Sequence, residues 1–172
     1  MLNNYRTIVV GTDGSALAGP TVARAALAAR REDADLVIVC AFAEMTRRLD
    51  AKNVATLGGD ARMGQVPGRA AASTAIAEAV AIAQEYGATI GAALLVDGDP
   101  AAVLVNVATE REAQLIVVGA RHHRSLAERL LGTVATEVTK RAPCDVLVVR
   151  PAEETGELEV PEDHPATSAG AD

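Results

Sequence analysis

Thr7-Ile8-Val9-Val10-Gly11-Thr12-Asp13-Gly14-Ser15 is the stretch from which the fold is read. Its first half is short, almost wholly apolar and rich in β-branched residues, the pattern of a strand covered on both faces. Its second half breaks that run with turn residues. From Ala16 to about Arg31, Val22, Ala25, Ala26 and Ala29 recur at the spacing of an amphipathic helix, and Pro20 is tolerable only near its start.

The same unit repeats outward along the chain. Asp35 to Ala41 reads as a second buried strand, and Ala70 to Tyr86 as a second helix with Ile76, Ala79, Val80 and Ala83 on one face and Gly87 as its cap. Thr89 to Val96 is a third strand. Asp99 then fits an N-cap and Pro100 the first position of a third helix, whose stripe is Val103, Leu104, Val107 and Ala108. Gln114 to Gly119 is a fourth strand, Leu126 to Arg141 holds a fourth helix, and Asp145 to Val149 is a fifth strand. Strands that are apolar on both faces and alternate with helices demand an α/β three-layer sandwich, a five-stranded parallel sheet between helix layers joined by right-handed crossovers. Such sheets bind ligands beyond the carboxyl ends of their strands, where the chain order reverses, so the loops after strands one, two and four matter most.

Two segments stand outside the alternation. Residues 42–69, with Gly58, Gly59, Gly64, Pro67 and Gly68, are too long for an ordinary loop and read as a mobile insertion, a lid being the other reading. Residues 151–172 carry seven acids and no Lys or Arg, and are too poor in apolar residues to offset the entropy of ordering, so they are expected to form a disordered acidic tail. Residues 1–150 are then one domain. Of the chain's 23 acids, 16 remain in that body against 16 Lys and Arg, so no extended basic face is available for a nucleic acid backbone. Two Tyr, one Phe and no Trp leave little surface on which bases of a single strand could stack.

Cys40 and Cys144 lie in or beside strand-like runs and read as buried thiols. The first residues show no basic stretch followed by a long apolar one, and no uncharged apolar run reaches ~18 residues. The expected location is the cytoplasm.

The loop after the fourth strand holds the richest chemistry: Gly119-Ala120-Arg121-His122-His123-Arg124-Ser125-Leu126-Ala127-Glu128-Arg129-Leu130-Leu131-Gly132-Thr133. Glycines let phosphate oxygens approach main-chain N–H groups, a following helix N-terminus adds donors, and Thr133 could add a hydroxyl. An anion is the natural occupant. The plainer reading keeps Gly119 as a turn, Gly132 as a helix-packing residue and the bases as a solvated surface. Asp13 likewise reads either as a ligand contact or as ordinary turn chemistry in Asp13-Gly14-Ser15.

Gly119 and Gly132-Thr133, followed by Ala142-Pro143-Cys144-Asp145-Val146-Leu147-Val148-Val149, together with the opening Ile8 to Ser15, resemble the signatures of the universal stress protein family. The resemblance covers residues 5–150 except much of 42–69. It implies the Rossmann-like sheet of the adenine nucleotide alpha hydrolases, in the order 3-2-1-4-5, and a homodimer made through the last strand, Asp145–Val149. In one branch it implies an adenine nucleotide (ATP, AMP or cyclic AMP) at the strand ends. Carried onto this sequence, Asp13 would meet the ribose or a phosphate, Ala41 the adenine through its main chain, Gly119 the ribose and phosphates, and Gly132 with Thr133 the phosphate chain. Gly11, Thr12 and Val118 would line the site. That branch has glycine where this chain has His122, whose ring would crowd the phosphates unless His122 and Arg121 replace main-chain contacts with charged donors.

No catalytic residue is assigned. The chain has no Gly-x-x-x-x-Gly-Lys-Ser/Thr loop, Gly-x-Gly-x-x-Gly fingerprint, His-Glu-x-x-His or Gly-x-Ser-x-Gly elbow, so turnover beyond slow ATP hydrolysis is not expected. Adjacent His122 and His123 do not make a metal site, because neighbouring side chains seldom converge on one ion; Mg²⁺ would come only with a nucleotide, held by its phosphates. A regulatory nucleotide-binding protein with an unknown protein partner is therefore the leading expectation, with a nucleotide-free dimeric interaction protein as the alternative.

Overall fold

The structure, a computed structural model, describes residues 4–44, 66–120 and 131–152. Its elements are β1 (Thr7–Gly11), α1 (Ala18–Glu32), β2 (Asp35–Ala43), β3 (Val66–Pro67), α2 (Arg69–Glu85), β4 (Thr89–Asp97), α3 (Pro100–Glu110), β5 (Leu115–Gly119), α4 (Thr133–Arg141) and β6 (Asp145–Val149). Every strand pair is parallel, and the five long strands lie in the order β4-β2-β1-β5-β6, the expected 3-2-1-4-5 arrangement.

The strand count differs from expectation. A sixth strand, β3, pairs with the end of β2 at Phe42 and Ala43. On one side of β2 the β4 pairing runs through Phe42, whereas β1 ends opposite Val39. On the β1 side the end of β2 would therefore be left without a ladder, and Val66-Pro67 supplies it. Two residues that include a proline carry no periodicity by which a sequence could announce them. Phe42 and Ala43 thus belong to β2 and Arg69 to α2, and of the expected 42–69 insertion residues 45–65 lie outside those described.

Alternate residues of the central strands feed two separate helix layers. Ile8 and Val10 of β1, Leu36 and Ile38 of β2, and Leu115 and Val117 of β5 pack with Val22, Ala25, Ala26 and Ala29 of α1 and with Ala79 and Ala83 of α2. Val9, Val37, Val39, Ala41, Ile116 and Val118 face the other way, against Val103, Leu104, Val107 and Ala108 of α3 and Ala135 and Val138 of α4. The small side chains of α1 and α2 let both helices sit close to the sheet and to each other. β4 and β6 flank the five long strands and mix exposed with half-buried residues instead, only Val149 at the end of β6 being buried.

Local signals act as expected at two helix ends. Asp99 caps α3 by accepting from the Ala102 N–H at 3.0 Å, with Pro100 next. Gly87, at φ 75°, closes α2, and the Ala88 N–H reaches back to the Ala83 carbonyl at 3.0 Å. The fourth helix starts later than the expected Leu126: Gly132, at φ 79° and ψ 164°, cannot be helical, so α4 opens at Thr133, and residues 126–130 lie outside those described. Gly132 is therefore a helix-entry residue and not a packing residue within a helix. Cys40 is fully buried, whereas Cys144 is only half-buried, because it precedes an edge strand. Among the described residues no helix is long and apolar enough to cross a membrane.

Candidate functional site

β1 lies between β2 and β5, and its chain leaves toward one helix layer while β5 leads to the other. Where the two exits diverge, at the carboxyl ends of the strands, a cleft of about 300 Å³ opens. This is the reversal point at which open α/β sheets collect ligands, and the volume is at the lower end for small-molecule sites.

The cleft brings together eight of the ten residues expected from the sequence. Gly11, Thr12 and Asp13 follow β1, Ala41 comes from β2, Val118 and Gly119 end β5, and Gly132 and Thr133 open α4. Arg121 and His122 lie outside the described residues. Ala41, Val118, Pro100 and Leu104 make an apolar portion of the wall. The polar lining residues are Thr12, Asp13, Ser15, Thr21 and Thr133.

Three features of the wall decide what it can hold. First, α4 begins without a side-chain cap, since its N-cap is Gly132. The Thr136 N–H reaches the Gly132 carbonyl at 3.1 Å, so the N–H groups of Thr133, Val134 and Ala135 have no acceptor within the helix. All three residues line the cleft. Free helix N-terminal donors with the positive end of the helix dipole favour a negatively charged group.

Second, Asp13 is the one ionisable side chain among the described lining residues. Its Oδ1 accepts the Ser15 N–H at 2.9 Å, so the turn role read from the sequence is real. That bond uses one oxygen. No described residue donates to Oδ2, so one carboxylate oxygen of this lining residue is left as an acceptor. Turn and ligand roles are compatible in the same carboxylate.

Third, the glycines are not equivalent. A Cβ on Gly119 would stand 2.9 Å from Thr21 Oγ1 and 3.1 Å from Leu17 Cδ2, and one on Gly11 would stand 3.1 Å from Leu104 Cδ1. Close packing of α1 and α3 against the strand ends therefore accounts for both. The Thr21 hydroxyl is held in that position by its own bond to the Leu17 carbonyl at 2.7 Å. Gly132 is different: its φ and ψ are open essentially to glycine alone.

Beneath the cleft, burial, with a smaller contribution from Asp13, pushes the Cys40 thiol up to about 11. Cys40 is thus a neutral core residue with no nucleophilic role at neutral pH. Among the described residues no group of three or more His, Cys, Asp or Glu could hold a metal ion.

Residues 4–150 match the Universal stress protein family. The chain belongs to the universal stress protein family. Universal stress protein Rv1636 of Mycobacterium tuberculosis (strain H37Rv) is 36% identical over 148 residues, which is 86% of this chain and 98% of that relative. Among solved structures, a universal stress protein in complex with cAMP is 32% identical, with a TM-score of 0.63 over 86% of this chain and 98% of that one. The universal stress protein of Archaeoglobus fulgidus in complex with dAMP has a TM-score of 0.61 over 85% and 98% of the two chains; at 24% identity it bears on the fold alone.

The sequence did not announce Leu17 and Thr21 of the α1 entry, nor Pro100 and Leu104 of α3, as part of this universal stress protein cleft. Leu104 carried a signal only as one of four stripe residues. Which stripe residue reaches the strand ends depends on how α3 lies on the sheet, and that is a tertiary fact.

Proposed function

We propose that this protein is a regulatory, cytoplasmic module that binds an adenine nucleotide in the cleft at the carboxyl ends of β1, β2 and β5. The observation that supports this most is the uncapped start of α4, three main-chain N–H groups with no acceptor in the helix, in a cleft that also offers an apolar surface of Ala41, Val118, Pro100 and Leu104. The base would lie against Ala41, Val118 and the α3 side chains, a ribose hydroxyl would donate to Asp13, and phosphate oxygens would accept from Thr133, Val134 and Ala135. Gly132 presents those donors, while Gly11, Thr12 and Gly119 set the width of the cleft. The cAMP complex of a relative 32% identical to this chain supports the same ligand class.

The described wall contains no Lys or Arg, so main-chain dipoles would carry the phosphate, with Arg121 and His122 as the nearest charged candidates in sequence. Asp13 offers at most one oxygen to a cation, so Mg²⁺ accompanying ATP would be held by the phosphates. Asp13 is the one ionisable side chain of the described lining, and the role proposed for it is to hold a ribose hydroxyl, not to activate water. Binding, not turnover, would then be the signal, read by a partner protein as a change of surface. The active form is proposed to be a homodimer joined through β6.

Thermal melting with adenosine, AMP, cyclic AMP and ATP tests the reading. A ligand at 100-fold its Kd adds about 2.7 kcal/mol, and each kcal/mol moves the midpoint of a domain this size by about 2–4 °C. A rise of several degrees with at least one adenine nucleotide is expected. No shift with any of them at millimolar concentration would mean that the cleft is not a nucleotide site, and would favour a nucleotide-free interaction protein.

A further inference from the structure

The apolar stripe of α3 consists of Val103, Leu104, Val107 and Ala108, and all four pack in the core beneath the sheet's α3 face. Of these four, Leu104 alone also lines the cleft. It is 4% exposed, and its core neighbours include Val9, Val39, Ala41 and Val118. Interiors are packed too closely to take up extra volume, so a side chain in this place cannot withdraw from a ligand that presses on it.

The backbone that carries Leu104 is fixed as well. Asp99 caps α3 through the Ala102 N–H at 3.0 Å, the Val103 N–H reaches the Asp99 carbonyl at 2.9 Å, and buried Pro100 restricts the first turn. Leu104 follows Pro100 by four residues and so shares its face of the helix. Its methyls rest on β1: Cδ1 and Cδ2 stand 3.1 and 3.3 Å from where a Cβ of Gly11 would be. Leu104 thus fills the place that the missing side chain of Gly11 leaves. Ala41, Val118 and Pro100, the other members of this apolar surface, have smaller side chains, and every residue of it lies among those described.

We infer that Leu104 is the residue that sets the size of base the cleft accepts, a fixed apolar stop that admits an unmodified purine and turns away one carrying a bulky substituent on the edge that meets α3. This rests on the nucleotide reading above and deepens it, because it names which member of the apolar surface discriminates between ligands. An obstruction of this kind acts against the larger ligand more than it favours the smaller one. Pro100 cannot share the role equally, since it is held by its ring in the helix start, whereas Leu104 presents a branched side chain to both core and cleft.

Calorimetric titration decides this with AMP and three AMP analogues that bear a benzyl group on the exocyclic amine or on either ring carbon that carries hydrogen. The native chain is expected to bind at least one analogue about 10-fold more weakly than AMP, the scale on which an apolar pocket discriminates. Leu104→Ala is expected to remove that penalty and to weaken AMP itself by about 10-fold, through the contacts it loses. Leu104→Val deletes a single methylene at less cost to the core, and should move the analogue-to-AMP ratio in the same direction by less. Val107→Ala is the packing control: Val107 belongs to the same stripe but not to the lining, so its truncation should destabilise the fold and leave the ratio at the native value. A native chain that binds all three analogues as tightly as AMP overturns the stop and leaves the nucleotide site standing. So does a ratio that stays native in the Leu104 variants, or one that Val107→Ala shifts as far. If the native chain binds neither AMP nor any analogue, both readings fall.

Discussion

Gly119 and Gly132 lie on the same cleft, yet substitution should separate the reasons for which each is glycine. Gly119→Ala pushes a methyl to 2.9 Å from Thr21 Oγ1, an overpacking expected to cost about 1–3 kcal/mol. Removing the obstacle with Thr21→Ala should recover part of that loss. Gly132→Ala instead forces a residue with a Cβ into φ 79°, ψ 164°, a strain of about 1–3 kcal/mol that no neighbour can relieve. Urea denaturation of the three single variants and the Gly119→Ala/Thr21→Ala double variant checks this; additive losses in the pair would mean that the contact is not the cause. At this scale the sequence identified residue types better than reasons. It marked both glycines and Asp13, because Gly and Asp carry backbone and turn meaning in themselves. It could not show that Gly119 is required by a threonine almost a hundred positions away, or that Asp13 holds Ser15 with one oxygen while the other stays available.

Among the elements, β6 is the least protected. It pairs with β5 alone among the described strands, its outer edge has no partner strand, and Leu147 is 41% exposed. Edges of this kind invite a second chain, and a two-fold contact would bury Leu147 on both copies. Leu147→Lys is therefore expected to convert the proposed dimer to monomer at micromolar concentration, measured by sedimentation velocity, with little loss of monomer stability. A native chain that sediments as a monomer, or a variant that remains a dimer, would contradict the proposed interface. The central strands were legible because β1, β2 and β5 are buried on both faces and therefore read as unbroken apolar runs. α3 was legible through Asp99-Pro100. The start of α4 was not, because glycine entry leaves no capping side chain to read. β3 was not either, because its two residues exist only to complete a ladder that β2 leaves open.

Across the whole molecule, the titration of buried thiols ties stability to pH. Cys40 is fully buried, and burial raises its thiol from 9.0 to about 11. Between those values the unfolded chain releases the proton that the folded chain keeps, so stability is complete below about pH 9 and falls as pH rises toward 11. Two units correspond to at most about 2.7 kcal/mol. Cys40→Ala should flatten the alkaline limb in urea titrations between those limits. Part of the slope should survive, because burial and Asp145 raise the half-buried Cys144, and a hydrogen bond to Asp145 raises Tyr5. An unchanged slope would show that Cys40 ionises freely in the folded state. Fold class and strand order were available from the alternation of periods and the family resemblance, and so were the strand-end residues of the cleft, whereas its helix residues Leu17, Thr21, Pro100 and Leu104 were not, since they depend on how helices from both layers meet the strand ends.

The central claim is that main-chain donors at the start of α4 hold the phosphate of an adenine nucleotide. A crystal structure of the protein grown with AMP measures it most directly. The account predicts a nucleotide with its base against Ala41 and Val118 and phosphate oxygens at about 2.7–3.2 Å from the nitrogens of Thr133, Val134 or Ala135. A cleft filled by the His122 side chain, or a nucleotide bound elsewhere with those nitrogens facing water, would contradict it.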